Sequence, residues 1–570
     1  MTQKDLFARL ALEQIPKILT LLDRNPHSPT YGCFDRNFWH YKIIDFPSGM
    51  SQEFVWPLAL VYTLKLPHNP FYRQSAIREW VEAGILYAAR SAHKDGSCDD
   101  YFPYERAGGA AAFSLLACIE SYQLLELQNN EILAFFERRA DWLAHHNESG
   151  QLTNHQALIV LCLELVSQLL QTSKWAREKA QRLERVFSWQ NEEGWFQEYE
   201  GCDPGYHTLT VWCLARLESF RSQGTDKRLR EAIVKAVEFA SLFIHPDGSH
   251  GGEYTSRNTY NFFPHGFELV GRWMPKALSI NDLFLQGLQR ELSPCYADDH
   301  IIGHHTWNYL LAWQDFASDR PEPMLHPLGQ TWLKNAKVLV DRRVTFPPAI
   351  PCPAAEPEEK ADEKNGLEEA ISSPQSSPQI ATELFLALNK GGTFKLFRDG
   401  KLIASDTQFS VRVCEGGKIK NAVGHLVDDY QIAIEKNEIL IEGHLGWAKQ
   451  QQMTPVKLMI LRVGMLTFGR FFPNLIRKIL QKLLITGKKQ TDFRFQRRLR
   501  WENGRWHISD TLFCPSWKNV VAVGIGGDQT SIYVVMSRTF QIGQLQPWFD
   551  LTSVVRRLEN GQPLHLERDL

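Results

Sequence analysis

The chain has 570 residues and a formal net charge of −2, enough length for more than one sizeable core and no basic field of the kind that nucleic-acid binding leaves on a sequence. No uninterrupted apolar run of about eighteen residues is present, so no membrane span is expected. The ten cysteines lack CxxC pairs or regular spacing and read as free thiols of a reducing compartment. The opening MTQKDLFARLALEQIPKILTLL mixes charge into a helical pattern, without the order of regions of an export signal, so a cytoplasmic location is expected.

Up to about residue 335 the pattern is helical. SAIREWVEAGILYAARSA, AAAFSLLACIESYQLLEL and AIVKAVEFASLFI repeat apolar residues at helical spacing. Polar turns recur between them, around Gly96, Gly150, Gly194, Gly248 and Gly303, at intervals of 54, 44, 54 and 55 residues. A period near fifty fits one helical hairpin per repeat. A lone hairpin leaves apolar faces uncovered, so the hairpins must stack or close into a ring. ALIVLCLELVSQLL is apolar nearly all round, whereas WAREKAQRLERVF is charged on one side. Two concentric rings, buried inner helices and amphipathic outer ones, account for both. The pattern predicts an α/α toroid over residues 1–335.

Residues 347–379 hold seven prolines, seven acids, two lysines and no aromatic residue, the composition of a disordered acidic tether. Beyond it the period falls to two. TFKLFRDGKLIASD turns at Asp399-Gly400, and RRLRWENGRWHISDTLF at Asn503-Gly504. Residues 380–570 are therefore predicted to form an antiparallel β-sandwich, giving an α+β multidomain chain. One segment interrupts it, a basic amphipathic stretch at about 457–490. From Lys457 to Arg500 there are twelve Lys or Arg and one acid, Asp492. It reads as a face packed on the sandwich, a groove for an anionic polymer, or a contact with an anionic membrane surface.

The inner helices of a closed toroid start at one end of the ring, so residues at their mouths share a cleft. Asn154 and His155 precede one apolar run, and Thr153 or Asn154 could serve only as its cap. Tyr206 and His207 precede the next, behind the turn Asp203-Pro204-Gly205. An amide, an imidazole and a phenol at one cleft suit β-elimination from a uronic acid. The substrate carboxylate must be neutralised so that the adjacent carbon can lose its proton. A base takes that proton and an acid protonates the departing glycosidic oxygen. This chemistry calls for no cofactor and no metal.

The chain resembles the heparinase II/III-like polysaccharide lyases, which include alginate and oligo-alginate lyases. Asn154-His155, Tyr206 and the stretch GGEYTSRNTYNFFPHGFEL, with Glu253, Tyr254, Arg257 and Asn258, carry the resemblance. It implies a toroid followed by a β-sandwich, an anionic uronic-acid glycan as substrate, Asn154 or His155 neutralising the uronate, and Tyr206 as acid or base. It also implies a further histidine or second tyrosine, for which His265, His425 and His444 are candidates.

Two more clusters are candidate cleft residues. DGSCDDYFPYERAGG offers Tyr104 and Arg106 for substrate contact, or for capping and internal ion pairs. YADDHIIGHH brings His300, His304 and His305 together; His300 and His304 have the i, i+4 spacing of some metal sites, and His305 is a candidate cleft residue. Two rival functions remain. One is a toroid glycoside hydrolase using carboxylates from the Asp99-Asp100 and Glu253 loops; the other is a non-catalytic glycan-binding protein.

Overall fold

The computed structural model describes the whole chain except Met1, Ser149, Glu200, Leu325 and residues 221–225, 294–300, 346–379, 449–451, 482–488, 528–536, 541–544 and 546–547. Twelve of the described helices form two concentric rings. The odd-numbered helices are outer: α1 (Asp5–Leu21), α3 (Ser75–Ser91), α5 (Asn130–His145), α7 (Ala176–Ser188), α9 (Lys227–Ser241) and α11 (Lys276–Gln289). The even-numbered helices are inner: α2 (Val55–Thr63), α4 (Gly108–Leu124), α6 (Thr153–Leu169), α8 (Pro204–Ser219), α10 (Pro264–Gly271) and α12 (Ile301–Gln314). Each inner helix packs on the next, and α12 returns to α2, so the ring closes. Burial follows sequence character. Almost every residue of α6 is buried, whereas α7 buries only Arg182 and Val186.

The recurring turn has a physical cause. Gly96, Gly194 and Gly248 sit at φ of 88°, 100° and 85°, the left-handed region that favours glycine. A side chain there would run into the backbone of the next outer helix, at Arg139, Lys235 or Gly287. In two of the turns an aspartate, Asp95 or Asp247, accepts from the following Ser97 or Ser249. Gly303 departs from the expectation, since it lies in the first turn of α12 rather than in a loop.

Two short strands, β1 (Gln197–Glu198) and β2 (Gly201–Cys202), form a hairpin in the toroid. Then β3 (Gly329–Leu333), β4 (Val338–Thr345), β5 (Ile380–Ala387), β6 (Thr393–Arg398) and β7 (Lys401–Asp406) make an antiparallel sheet in that order. The β-domain therefore begins at Gly329, before the proline-rich segment, and not at residue 380. That segment joins β4 to β5 within one sheet instead of linking two domains; the disorder expected of it lies outside the described residues. Alternate residues of this sheet face opposite ways. Val338, Val340, Phe385 and Phe397 pack against Phe243 and Tyr254 of the toroid. Leu339, Leu384 and Leu386 turn to the second sheet.

That second sheet contains β8 (Phe409–Glu415), β9 (Lys418–Val423), β10 (Gln431–Ile434), β11 (Glu438–Ala448), β12 (Gln490–Glu502), β13 (Arg505–Phe513), β14 (Val520–Gly526), β15 (Trp548–Asp550) and β16 (Leu564–Asp569). Its order is β15-β14-β8-β9-β11-β12-β13-β16, with β10 also on β11. The turns at Asp399-Gly400 and Asn503-Gly504 join adjacent strands, with both residues of each at positive φ. Between β11 and β12 the chain leaves the sheet as two helices, α13 (Pro455–Leu466) and α14 (Pro473–Gln481).

Inside the sandwich Arg497 is wholly buried between Asp406 at 2.9 Å and Asp510 at 2.6 Å, and Arg568 reaches both aspartates. Removing one member of a buried pair leaves charge without a partner. Arg497→Ala is expected to cost about 3–5 kcal/mol, read as a fall in the denaturation midpoint.

Candidate active site

The mouth of α6 is built by the β1–β2 hairpin. Leu152 bridges Glu198, and the Glu198 carboxylate accepts from the Asn154 backbone N–H at 2.7 Å and from Asn154 Nδ2 at 2.6 Å. Glu198 thus satisfies an orphan amide of the helix start. Neither Thr153 nor Asn154 is the cap: both lie within the helix, and the Thr153 hydroxyl donates to Gln197 O. Asn154 is only 2 % exposed. Burial pushes the Glu198 carboxyl well above its ordinary range, with the two Asn154 donors opposing it.

His155 is partly exposed. Its Nδ1 lies 2.6 Å from Glu148 Oε2. The other Glu148 oxygen accepts from the Gly108 and Gly109 amides at the start of α4 and pairs with Arg477 Nη1 at 3.2 Å. Burial raises the Glu148 carboxyl, but His155 and Arg477 outweigh it and hold the group well below the usual carboxylate range. Gly109 lies under the imidazole, so any side chain at that position would displace the His155 ring.

Tyr206 stands in the first turn of α8. Asp203 caps that helix through Oδ1, and Pro204 occupies the first helical position. The other Asp203 oxygen accepts from Arg257 N at 3.0 Å and Thr255 Oγ1 at 3.1 Å. One aspartate therefore fixes both Tyr206 and the loop that carries Arg257. The Arg257 guanidinium lies 4.0 Å over the Tyr199 ring. Its Nε and Nη1 are buried and meet no acceptor among the described residues, and the guanidinium also engages the Tyr199 side chain. Burial raises the Tyr206 phenol, and the Arg257 charge pulls the other way. Arg257 and Asp203 act on the Tyr206 phenol, and Arg257 and Glu148 act on that of Tyr199. The mouths of α6 and α8 thus share one electrostatic neighbourhood.

Tyr101, on the loop before α4, is 73 % exposed. Glu105 accepts from the Tyr101 amide and pairs with Arg477 at 3.2 Å. The neighbouring Tyr104 and Arg106 are half-buried at positive φ, with both amides donating to Asp99. Arg106 spends its Nη1 on Asp95 at 2.8 Å, the internal ion pair.

The other sequence candidates are buried or engaged by partners of their own. Tyr254 is buried against the β-domain, with its hydroxyl 2.8 Å from His245 Nε2. Glu253 is buried with Lys395, Arg538 and the Tyr260 hydroxyl. Asn258 is fully buried at positive φ. His265 has both ring nitrogens engaged, by Trp212 Nε1 at 2.9 Å and Asp315 at 2.8 Å. His305 is buried beside Asn261, and burial pushes it down to about 3. His207 meets Ala236 O, His425 meets Thr407 O and His444 meets Thr491 O. His304 faces Glu53 at 2.6 Å, while His300 lies outside the described residues. Among the described residues no group of three or more His, Cys, Asp or Glu converges to hold a metal ion, and the eight described cysteines are free thiols.

Sequence reasoning passed over Glu148, Glu198, Tyr199, Tyr101 and Arg477. A signal existed for the first three. Glu148 lies in the polar turn before Asn154-His155, and Glu198-Tyr199 follows the Gly194 turn one repeat later. Arg477 had none, because it arrives from a segment more than 300 residues away in sequence.

No family model and no curated protein matches the chain. Solved structures do. The chondroitin AC lyase of Streptomyces coelicolor A3, solved in complex with chondroitin sulphate, aligns over 92 % of this chain and 68 % of its own at 10 % identity, with a TM-score of 0.50. The heparan sulfate lyase of Pedobacter heparinus aligns over 91 % and 70 %, at 10 % identity and a TM-score of 0.36. The cellobiose 2-epimerase of Bacillus thermoamylovorans B4167 covers 54 % of this chain and 97 % of its own, at 11 % identity and a TM-score of 0.42. The first likeness fixes the fold, a helical toroid joined to a C-terminal β-domain, in agreement with the resemblance read from the sequence.

Proposed function

We propose that the chain is a lyase that cleaves uronic-acid-containing poly- or oligosaccharides by β-elimination. The observation that carries this reading is the pairing of two devices at neighbouring helix mouths. One is His155 backed by Glu148, and the other is Tyr206 held through Asp203 with the loop of Arg257, whose Nε and Nη1 meet no acceptor among the described residues.

Each device has a task. Arg257 neutralises the substrate carboxylate, so the adjacent C5–H bond can break without building an isolated dianion. Glu148 engages His155 Nδ1, which leaves Nε2 as the base that takes the C5 proton. Burial keeps Tyr206 protonated at neutral pH, so it suits the acid's role, giving its proton to the glycosidic oxygen as the C4–O bond breaks. The electron pair of the C5–H bond becomes the C4=C5 double bond. Asn154, buried with its amide donated to Glu198, holds the helix start that carries His155.

The hydrolase reading finds less support. Asp99 spends its oxygens on His93 and on the Tyr104 and Arg106 amides. Glu253 is buried between Lys395 and Arg538, where it cannot flank a glycosidic bond. The test is a panel of uronate glycans incubated with the purified chain. Ultraviolet absorbance of an unsaturated product is expected. New reducing ends without that absorbance mean hydrolysis, and binding without turnover means a non-catalytic protein.

Arg257→Lys keeps the charge but loses the planar fork. A charge-assisted hydrogen bond contributes about 1.5–3 kcal/mol, so an increase in KM of about 10–100-fold is expected, with the melting temperature little changed. Unchanged kinetics with a lowered melting temperature would assign Arg257 to folding.

A further inference from the structure

We propose that the α13–α14 hairpin is a docking element for an anionic lipid surface, lying on the bilayer and inserting its apolar side chains. Ile460, Val463, Phe468, Phe471, Phe472 and Ile479 are 45–67 % exposed on it, and α13 buries only Met465. A helix apolar on its exposed faces needs a nonaqueous partner. Charge selects which one. No acid occurs between Met453 and Thr491, while Lys457, Arg470 and Lys478 stand exposed among the apolar residues. Long basic side chains beside aromatic and aliphatic ones fit phosphate headgroups above hydrocarbon. A second copy of the chain would set two basic surfaces against each other.

Length decides between spanning and lying on the surface. The helices have 12 and 9 residues, about 18 and 14 Å at 1.5 Å per residue, against a hydrocarbon core of about 30 Å. No described helix is long and apolar enough to cross a membrane.

The hairpin is also tied to the cleft. Arg462 pairs with Asp45, Asn474 Nδ2 donates to Asn147 O at 3.4 Å, and Arg477 bridges Glu105 and Glu148. Docking would therefore bring the cleft beside the headgroups, where a glycan held at a lipid surface would present itself.

The experiment is flotation of the full chain with vesicles of equal parts phosphatidylcholine and phosphatidylglycerol, and with pure phosphatidylcholine. It reads binding alone, so it stands apart from the lyase assay. Binding to the mixed vesicles is expected to exceed that to pure phosphatidylcholine about 10-fold and to fall with added salt. I460D/F471D and R470E/K478E should each lower it by about 10-fold or more, with melting temperatures unchanged because all four side chains are exposed. Failure of the parent to bind mixed vesicles overturns the proposal, as does undiminished binding by I460D/F471D. Self-association in sedimentation that I460D/F471D abolishes, without vesicle binding, assigns the face to a second copy and equally overturns it.

Discussion

Tyr206→Phe is expected to lower turnover by about 10²–10⁴-fold and to leave folding intact. The substitution removes one oxygen and keeps the ring. The hydroxyl has no hydrogen bond among the described residues, and the helix start is held by the backbone of residue 206 on Asp203, which phenylalanine retains. A hydroxyl with a structural role would behave differently, its loss costing about 1 kcal/mol of stability with turnover preserved. The rate of product absorbance and the denaturation midpoint, measured on the same variant, separate the two. Most of the activity surviving in Tyr206→Phe would remove this residue from the chemistry and turn attention to Tyr199, whose ring lies under Arg257.

Glu148→Gln should be nearly as damaging, at about 10²–10⁴-fold in kcat. The carboxylate does two things for His155. It accepts at Nδ1, which leaves Nε2 free for substrate, and its charge stabilises the imidazolium once the proton has been taken. Glutamine retains at most the first. The change also has a signature in stability. The Glu148 carboxyl is held below its ordinary range by His155 and Arg477, against the effect of burial. Its stabilisation is therefore full above the range in which an unfolded-state glutamate titrates, and it is lost as pH falls through that range toward the lower folded value. Glu148→Gln should remove this contribution, so the acid side of its stability profile should be flatter than the parent's. An equally steep acid slope in the variant, with kcat unchanged, would show that Glu148 neither orients the base nor stands ionised beside it.

Several features of the site were legible in the sequence for local reasons. Asp203-Pro204-Gly205 prescribes a capped helix start, so Tyr206 had to stand in a first turn. His155 sits at the head of an apolar helix, and such a helix belongs to the inner ring. Arg257 was singled out only through the family resemblance of its glycine-rich loop. Other assignments failed because a side chain's partner was not local. Tyr254 and Glu253 were read as cleft residues, but the sheet that covers the toroid buries them against Phe385 and Lys395. His265 lies in a first turn as His155 does, yet Trp212 and Asp315 occupy both its nitrogens.

The sequence by itself determined the elements and their order: a fifty-residue helical period, a glycine at turns that admit no side chain, then period-two strands joined by Asp-Gly and Asn-Gly turns. These are properties of backbone conformation and side-chain spacing, both read within a few residues. Tertiary structure alone decided where the β-domain begins, since β3 and β4 become part of its first sheet only by pairing with β5 across the proline-rich segment. It alone decided that Glu148 and Glu198, rather than further histidines, hold Asn154 and His155. It also set Arg477 against Glu148, 329 residues away in the chain. Ion pairs and hydrogen bonds of this kind depend on which surfaces meet when the ring closes and the sheets cover it, and a one-dimensional pattern does not encode that distance.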